Sequence, residues 1–249
     1  MFRISNLKFG PEVGIGKPKS DSPVVSYWLS EVGRICSDLR RTTGRSYPEC
    51  KAYLGDARKI SSVLELKSVD AVVTSPPYPN EKDYTRTTRL ESVTSGFITN
   101  RQQLHDFKRN LIRSNTRGVY KGDDDDSWIA EHSEIQGIAD EIERRRKELG
   151  KTSGFERLYP KVTRLYFGGM ARHLSEMRSI LRPEARLAYV VGDQASYLRV
   201  MIRTGKLLAE IAQNLGYELV RIDLFRTRFA TATGNQLREE VVVLRWPGR

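Results

Sequence analysis

The residues best suited to chemistry stand together in Thr74-Ser75-Pro76-Pro77-Tyr78. Pro76 and Pro77 carry no N–H, so a turn built on them presents carbonyl oxygens as acceptors. Such acceptors suit an exocyclic amine, which has two hydrogens to donate. Ser75 adds a hydroxyl that donates or accepts. Tyr78 offers a flat ring on which a base can stack. The plainer reading is a Pro-Pro turn after a strand, with no ligand at all.

A strand has to hold this turn. Val69, Ala71, Val72 and Val73 form a short apolar run rich in β-branched residues, which predicts a buried strand ending at Thr74. The prolines stop it and keep Ser75 and Pro76 out of the α region. In an open α/β sheet, ligands bind at the carboxyl ends of the strands. Upstream, Ala52-Tyr53-Leu54 is expected as a short strand ending at Gly55-Asp56, and Ile60, Val63 and Leu64 as a helix. Strand, helix and strand make a βαβ unit with parallel strands. Asp56 then lies at a strand tip. Its carboxylate either caps the following helix or accepts from a ligand's amino or hydroxyl group.

Thr74-Ser75-Pro76-Pro77-Tyr78 resembles the catalytic motif of the amino-type DNA methyltransferases, and its serine form resembles their cytosine-N4-specific branch. The resemblance runs over most of the chain, roughly residues 51–244. It implies an α/β, Rossmann-like S-adenosylmethionine-dependent methyltransferase fold. It implies a restriction-modification type of activity on double-stranded DNA, with methyl passed to the exocyclic amine of a flipped base. Flipping costs unstacking energy and brings the reacting atom within reach. The resemblance assigns catalytic roles to Ser75, Pro76, Pro77 and Tyr78, and cofactor contacts to Asp56, Thr74 and Asp193. Adenine N6 stays open as the target, because the two amines are chemically alike. Methylation at ring carbon five of cytosine would need a nucleophilic Cys after Pro, and Cys50 follows Glu49 instead.

The family also carries a glycine-rich loop, Phe-x-Gly-x-Gly, between a strand and a helix. The nearest string here, Phe167-Gly168-Gly169, has the wrong spacing and no clear strand before it. The cofactor half of the fold is therefore expected to be incomplete. A partner chain carrying the loop, a longer enzyme of which this is a fragment, or a catalytically inactive DNA-binding subunit would each account for that.

Length and charge fit a nucleic-acid partner. The chain has 249 residues, with Lys+Arg 42 against Asp+Glu 31 and a net charge of +11. An excess of cations favours a polyanion held largely through its phosphates. The plainer alternative is a basic protein with no such partner. Cys36 and Cys50 are too few for a disulfide framework or a cysteine metal site, which suits a reducing cytoplasm. No apolar segment is long enough to span a membrane, and Met1 opens no signal-peptide pattern. His105, His132 and His173 show no metal spacing.

Read in order, a single domain over 1–249 is expected, with 1–22 an irregular or extended arm and 90–160 a helical insertion. Gly14-Ile15-Gly16-Lys17 fails as a phosphate loop, because Pro11 replaces the leading glycine and Pro18 the Ser or Thr. Asp21-Ser22-Pro23 predicts a helix start. Val24, Tyr27, Trp28, Val32, Ile35 and Leu39 follow at helical spacing, with Tyr27 and Trp28 expected in the core against the sheet. After Tyr78, the polar run 79–89 supplies Lys82, Tyr84, Arg86 and Arg89 as candidate DNA contacts; a solvated loop is the plainer reading.

Within the insertion, Ile135, Ile138, Ala139 and Ile142 mark an amphipathic helix. Asp123 to Asp126 reads as a solvated helix start rather than a cation site. The last part returns to α/β. A helix runs through His173 and Leu174, Arg182-Pro183-Glu184-Ala185 is a turn, and Arg186 to Val191 is a strand ending at Gly192-Asp193-Gln194. A helix near 203–215 follows. Strands 217–224 and 239–244 are expected as an antiparallel edge pair. Arg226 and Arg228, in the intervening loop, complete the DNA-contact candidates.

Overall fold

The computed structural model describes residues 5–9, 13–19, 21–79, 83–230 and 234–248. They fall into two compact units, one of residues 1–54 and 84–97, the other of 55–83 and 98–249.

The first unit holds a two-stranded antiparallel ribbon, β1 (Leu7–Phe9) and β2 (Val13–Ile15). Within the span expected as an irregular or extended arm, these described residues are extended and paired. Helix α1 (Val24–Thr42) begins after Pro23, and neither Asp21 nor Ser22 forms a side-chain cap. No residue of α1 is buried, and Trp28 is 61% exposed. The expectation that Tyr27 and Trp28 lie in a core is therefore wrong. Two short helices, α2 (Tyr84–Thr87) and α3 (Arg89–Thr94), complete this unit.

The second unit is a mixed α/β body. Its four-stranded sheet has the order β3-β4-β6-β5, built from β3 (Val69–Thr74), β4 (Leu181–Gly192), β5 (Glu218–Phe229) and β6 (Gln236–Trp246). β3 and β4 are parallel, and β6 runs antiparallel to both β4 and β5. The expectation that β3 is buried fails: among the described residues it has one ladder neighbour, and none of its residues is buried. Its helices are α4 (Arg101–Arg109), α5 (Ser133–Glu148), α6 (Gly154–Arg157), α7 (Tyr159–Ile180) and α8 (Thr204–Asn214). The span 90–160, expected as one helical insertion, contains helical segments but is divided between the two units, and between α4 and α5 it holds only short 3-10 turns and irregular chain.

The core forms where α7 meets the sheet. Tyr166, Phe167, Met170 and Leu174 of α7 join Leu187, Tyr189 and Val191 of β4, Val242 and Leu244 of β6, and Leu207 and Ile211 of α8. Ile135, Ala139 and Ile142 bury one face of α5, as their spacing predicts. The Tyr217 hydroxyl donates to the Leu174 carbonyl at 2.7 Å, fixing the start of the edge pair to α7.

Three expectations of local structure fail for physical reasons. Ala52-Tyr53-Leu54 is not a strand. Leu54 is 89% exposed and the segment has no ladder partner among the described residues, so the expected βαβ unit is absent. The helix after it is a short 3-10 turn, Ala57–Ser62. The Arg182–Ala185 turn instead lies inside β4 as a bulge, where pairing slips between Val69↔Leu181 and Ala71↔Arg186 and Glu184 takes φ 69°.

Phe167-Gly168-Gly169 proves to be the middle of α7. A Cβ on Gly168 would stand 1.9 Å from the backbone oxygen of Asp125. The glycine therefore lets another backbone pack onto the helix, and this string is no cofactor loop. Asp125 is not solvated either. It is 2% exposed, accepts from Arg58 at 2.5 Å and pairs with Arg172 at 3.2 Å. Asp123 forks onto Arg113 at 2.9 and 2.8 Å. A buried guanidinium needs such partners, because an unpaired charge inside is costly.

Candidate active site

The carboxyl ends of β3 and β4 and the start of β6 lie at one edge of the sheet. Thr74, half-buried, closes β3 opposite Tyr189. Ser75 to Tyr78 then leave the sheet without regular structure; Ser75 is exposed and Pro76, Pro77 and Tyr78 are half-buried. The parallel pairing brings the tip of β4 beside this corner. A Cβ on Gly192 would lie 2.8 Å from Cε2 of Tyr78, so the missing side chain is what admits the ring. The same Cβ would lie 3.3 Å from Cγ of Glu239, which stands opposite Gly192 in the β4–β6 ladder, so Tyr78 and Glu239 meet over this glycine, and a hydrogen bond from the Tyr78 hydroxyl helps to lower the Glu239 pKa.

Glu239 is nearly buried and serves three partners. It accepts from Nε of Arg226, its cross-strand neighbour, and lies 3.6 Å from Nε of Arg228. The Arg226 hydrogen bond, against an opposing effect of burial, holds the Glu239 carboxyl below the usual carboxylate range. The Arg226 and Arg228 side chains are 62% and 43% exposed. Both arginines lie within β5, whose ladder continues to Phe229↔Gln236, and not in a loop.

Asp193 also lies at this edge, as its strand-tip position predicts, but its side chain is already engaged. It is 1% exposed and pairs with Arg203 at 2.5 Å. Its own N–H donates to the Arg238 carbonyl at 2.8 Å. Next to it Glu240 forms an ion pair with Arg238 at 2.9 Å and packs on Gly205, where a Cβ would meet its Oε2 at 2.3 Å. Burial, with Asp193 beside it, pushes the Glu240 carboxyl up. The edge thus carries Arg203, Arg226, Arg228 and Arg238, each tied to one of three buried carboxylates.

Asp56 resolves toward its helix-cap role. It accepts from the Arg58 backbone N–H at 2.9 Å and from the Arg58 guanidinium at 3.0 and 2.8 Å. Burial opposes ionisation of Asp56, and the bonds from Arg58 overcome it. His173 is a half-buried histidine with both ring nitrogens satisfied. The Ala57 carbonyl can only accept, so Nδ1 carries the hydrogen at 2.9 Å, and Nε2 accepts from the Tyr189 hydroxyl at 2.8 Å. Burial lowers its pKa.

Of the other DNA-contact candidates, Tyr84, Arg86 and Arg89 belong to the first unit and lie on α2 and α3. Tyr84 is 50% exposed. Lys82 lies outside the described residues. Sequence reasoning missed Gly192, Arg203, Arg238, Glu239 and Glu240. One signal was available: Glu239-Glu240 enters the apolar run Val241-Val242-Val243-Leu244, where acids are rarely buried unless paired. Among the described residues no cluster of His, Cys, Asp and Glu could hold a metal, and no helix is long and apolar enough to cross a membrane.

No family model matches the chain. Two curated sequences named Type II methyltransferase M.AvaI, from Nostoc sp. (strain PCC 7120) and Anabaena variabilis, are each 28% identical over 170 residues. The match takes in 66% of this chain and 34% of those proteins, so the chain spans about a third of the length of the curated relatives it matches. Among solved structures, TTHA0409 of Thermus thermophilus, classed by name as a DNA modification methylase, is 16% identical with TM-scores of 0.38 and, in its complex with S-adenosyl-L-methionine, 0.39. These superpositions cover 79% of this chain and 53% and 55% of that one. Scores this low do not distinguish between α/β folds.

Proposed function

We propose that this chain is the base-binding part of an S-adenosylmethionine-dependent DNA methyltransferase with a Rossmann-like fold, acting on the N4 amine of cytosine. The observation that carries the reading is the Ser75-Pro76-Pro77-Tyr78 corner at the carboxyl edge of a parallel strand pair, with its tyrosine anchored to Gly192 and Glu239. The Pro76 carbonyl and the Ser75 hydroxyl accept the two amine hydrogens of an extruded base, and Tyr78 stacks on its ring. Orientation of this kind converts binding energy into alignment for transfer. The arginines at the same edge meet the phosphates. Lys82, Tyr84, Arg86 and Arg89 are further candidates for DNA contact. The similarity to M.AvaI points to the same class of reaction.

The residues present do not fit the whole cofactor. Asp56 and Asp193, its expected carboxylate contacts, are held by Arg58 and Arg203. The cavity beside Asp56 measures about 190 Å³, below the roughly 300 Å³ where ligand pockets begin. Phe167-Gly168-Gly169 is closed by helix packing. A partner chain carrying the glycine-rich loop completes the enzyme in this reading. Among the described residues β3 is an edge strand, and Val73 on it is 84% exposed, which leaves a ladder open to such a partner.

The test is transfer of tritium from labelled S-adenosylmethionine to DNA by the chain, alone and with the product of the adjoining reading frame. Label recovered as N4-methylcytosine, and lost with Ser75→Ala, supports the reading. Label in N6-methyladenine moves the target to adenine. DNA binding with no label under either condition leaves an inactive binding subunit.

A further inference from the structure

The corner is only as rigid as its supports, and one of them faces two ways. Glu239 is 4% exposed and touches the tyrosine of the corner, the strand arginine Arg226 and its neighbour Arg228. It sits opposite Gly192, the residue whose lack of a side chain admits the Tyr78 ring. We propose that Glu239 is a positioning residue for base capture: it orients Tyr78 through the phenol hydroxyl and in the same act holds Arg226 and Arg228 where a phosphate arrives. This rests on the base-binding reading above and adds a residue that neither the motif nor its spacing marks.

A tyrosine ring packed by one edge on a glycine can still rotate about its side-chain bonds, and only a bond at its far end fixes the plane. The Glu239 carboxylate supplies that bond as an ionised acceptor, which makes it stronger than a neutral pair. Its contacts with both arginines run through Nε. The planar guanidinium can then offer its terminal nitrogens to phosphate as a second fork. One buried carboxylate thus couples the stacking surface to the backbone grip, and phosphate contact and base contact reinforce each other.

A mismatched base costs less to extrude than a paired one, so a protein that captures flipped bases binds a duplex with one mismatch more tightly than its matched twin. The experiment measures both affinities for the full chain by fluorescence anisotropy, with no cofactor needed. The expected wild-type preference is about tenfold. Glu239→Ala reduces it to under about twofold, and so does Tyr78→Phe, which removes only the hydroxyl. The double variant shows no further loss, because both changes cut one linkage. Glu239→Gln keeps an acceptor for the phenol and stays within about threefold of wild type, which separates positioning from general unfolding. If Glu239→Ala keeps the preference while Tyr78→Ala abolishes it, the inference is wrong and the base-binding reading stands. The inference is equally wrong if Tyr78→Phe keeps a preference that Glu239→Ala loses. If wild type shows no preference at all, both fall together.

Discussion

Helices α1 and α7 are of similar length, 19 and 22 residues, and both carry apolar residues at helical spacing. Nothing in α1 is buried, while α7 buries residues on nearly all sides, including both of its glycines. The difference lies in what each meets. α7 has the sheet on one side, the Asp125–Ile129 turn on another, and α5 and α8 beside it. Trp28, Leu29, Ile35 and Leu39 of α1 stay half exposed or more. An apolar stripe states which face of a helix would be covered. It does not state that anything covers it.

The comparison can be broken most sharply at Gly168. Gly168→Ala forces a methyl group into the Asp125 backbone, where no side chain can yield, and is expected to cost at least ~3 kcal/mol in urea unfolding. A loss below ~1 kcal/mol would mean that α7 is not closed in this way. Next comes acid. His173 is neutral in the folded protein because burial lowers its pKa from the ordinary value of 6.5. The unfolded chain therefore binds the extra proton first, and stability falls as pH drops below about 6.5, by up to ~1.4 kcal/mol per pH unit. Unfolding titrations from about pH 7.5 to about pH 5.5, a window spanning the ordinary histidine value, should show that slope, and His173→Gln should flatten it. A third effect has the opposite sign. Gly137 lies on α5 with nothing within 4 Å of the place a Cβ would take, so Gly137→Ala should stabilise by about 0.5–1 kcal/mol through helix propensity alone. The smallest belongs to α1. Trp28→Ser should change stability by less than ~0.5 kcal/mol, and a loss above ~1 kcal/mol would show that this face is covered in solution.

Much of the second unit was legible from residue order. The β-branched run before Ser75 is β3, the Ile135 to Ile142 spacing is α5, and the tail is an antiparallel pair, because these patterns report local periodicity and turns; the expected burial of β3 failed, because an apolar run does not say whether a strand is central or at the sheet edge. Ala52-Tyr53-Leu54 failed because three apolar residues make a strand only where a ladder partner exists. Asp123 to Asp126 misled because its counter-ions, Arg58, Arg113 and Arg172, are contributed by other segments, two of them far along the chain. The same holds at the candidate site. The Ser-Pro-Pro-Tyr corner is a local motif and could be read. Its supports Gly192 and Glu239 are brought to it by sheet register, which no local pattern encodes.

The most direct test of the base-binding corner is a photo-crosslink to a duplex carrying 5-iodocytosine at a mismatched position. The account expects the peptide attached to that base to contain Tyr78, with attachment lost in Tyr78→Ala. Attachment only at exposed rings of β5 such as Phe225 and Phe229, with Tyr78 untouched, would contradict it.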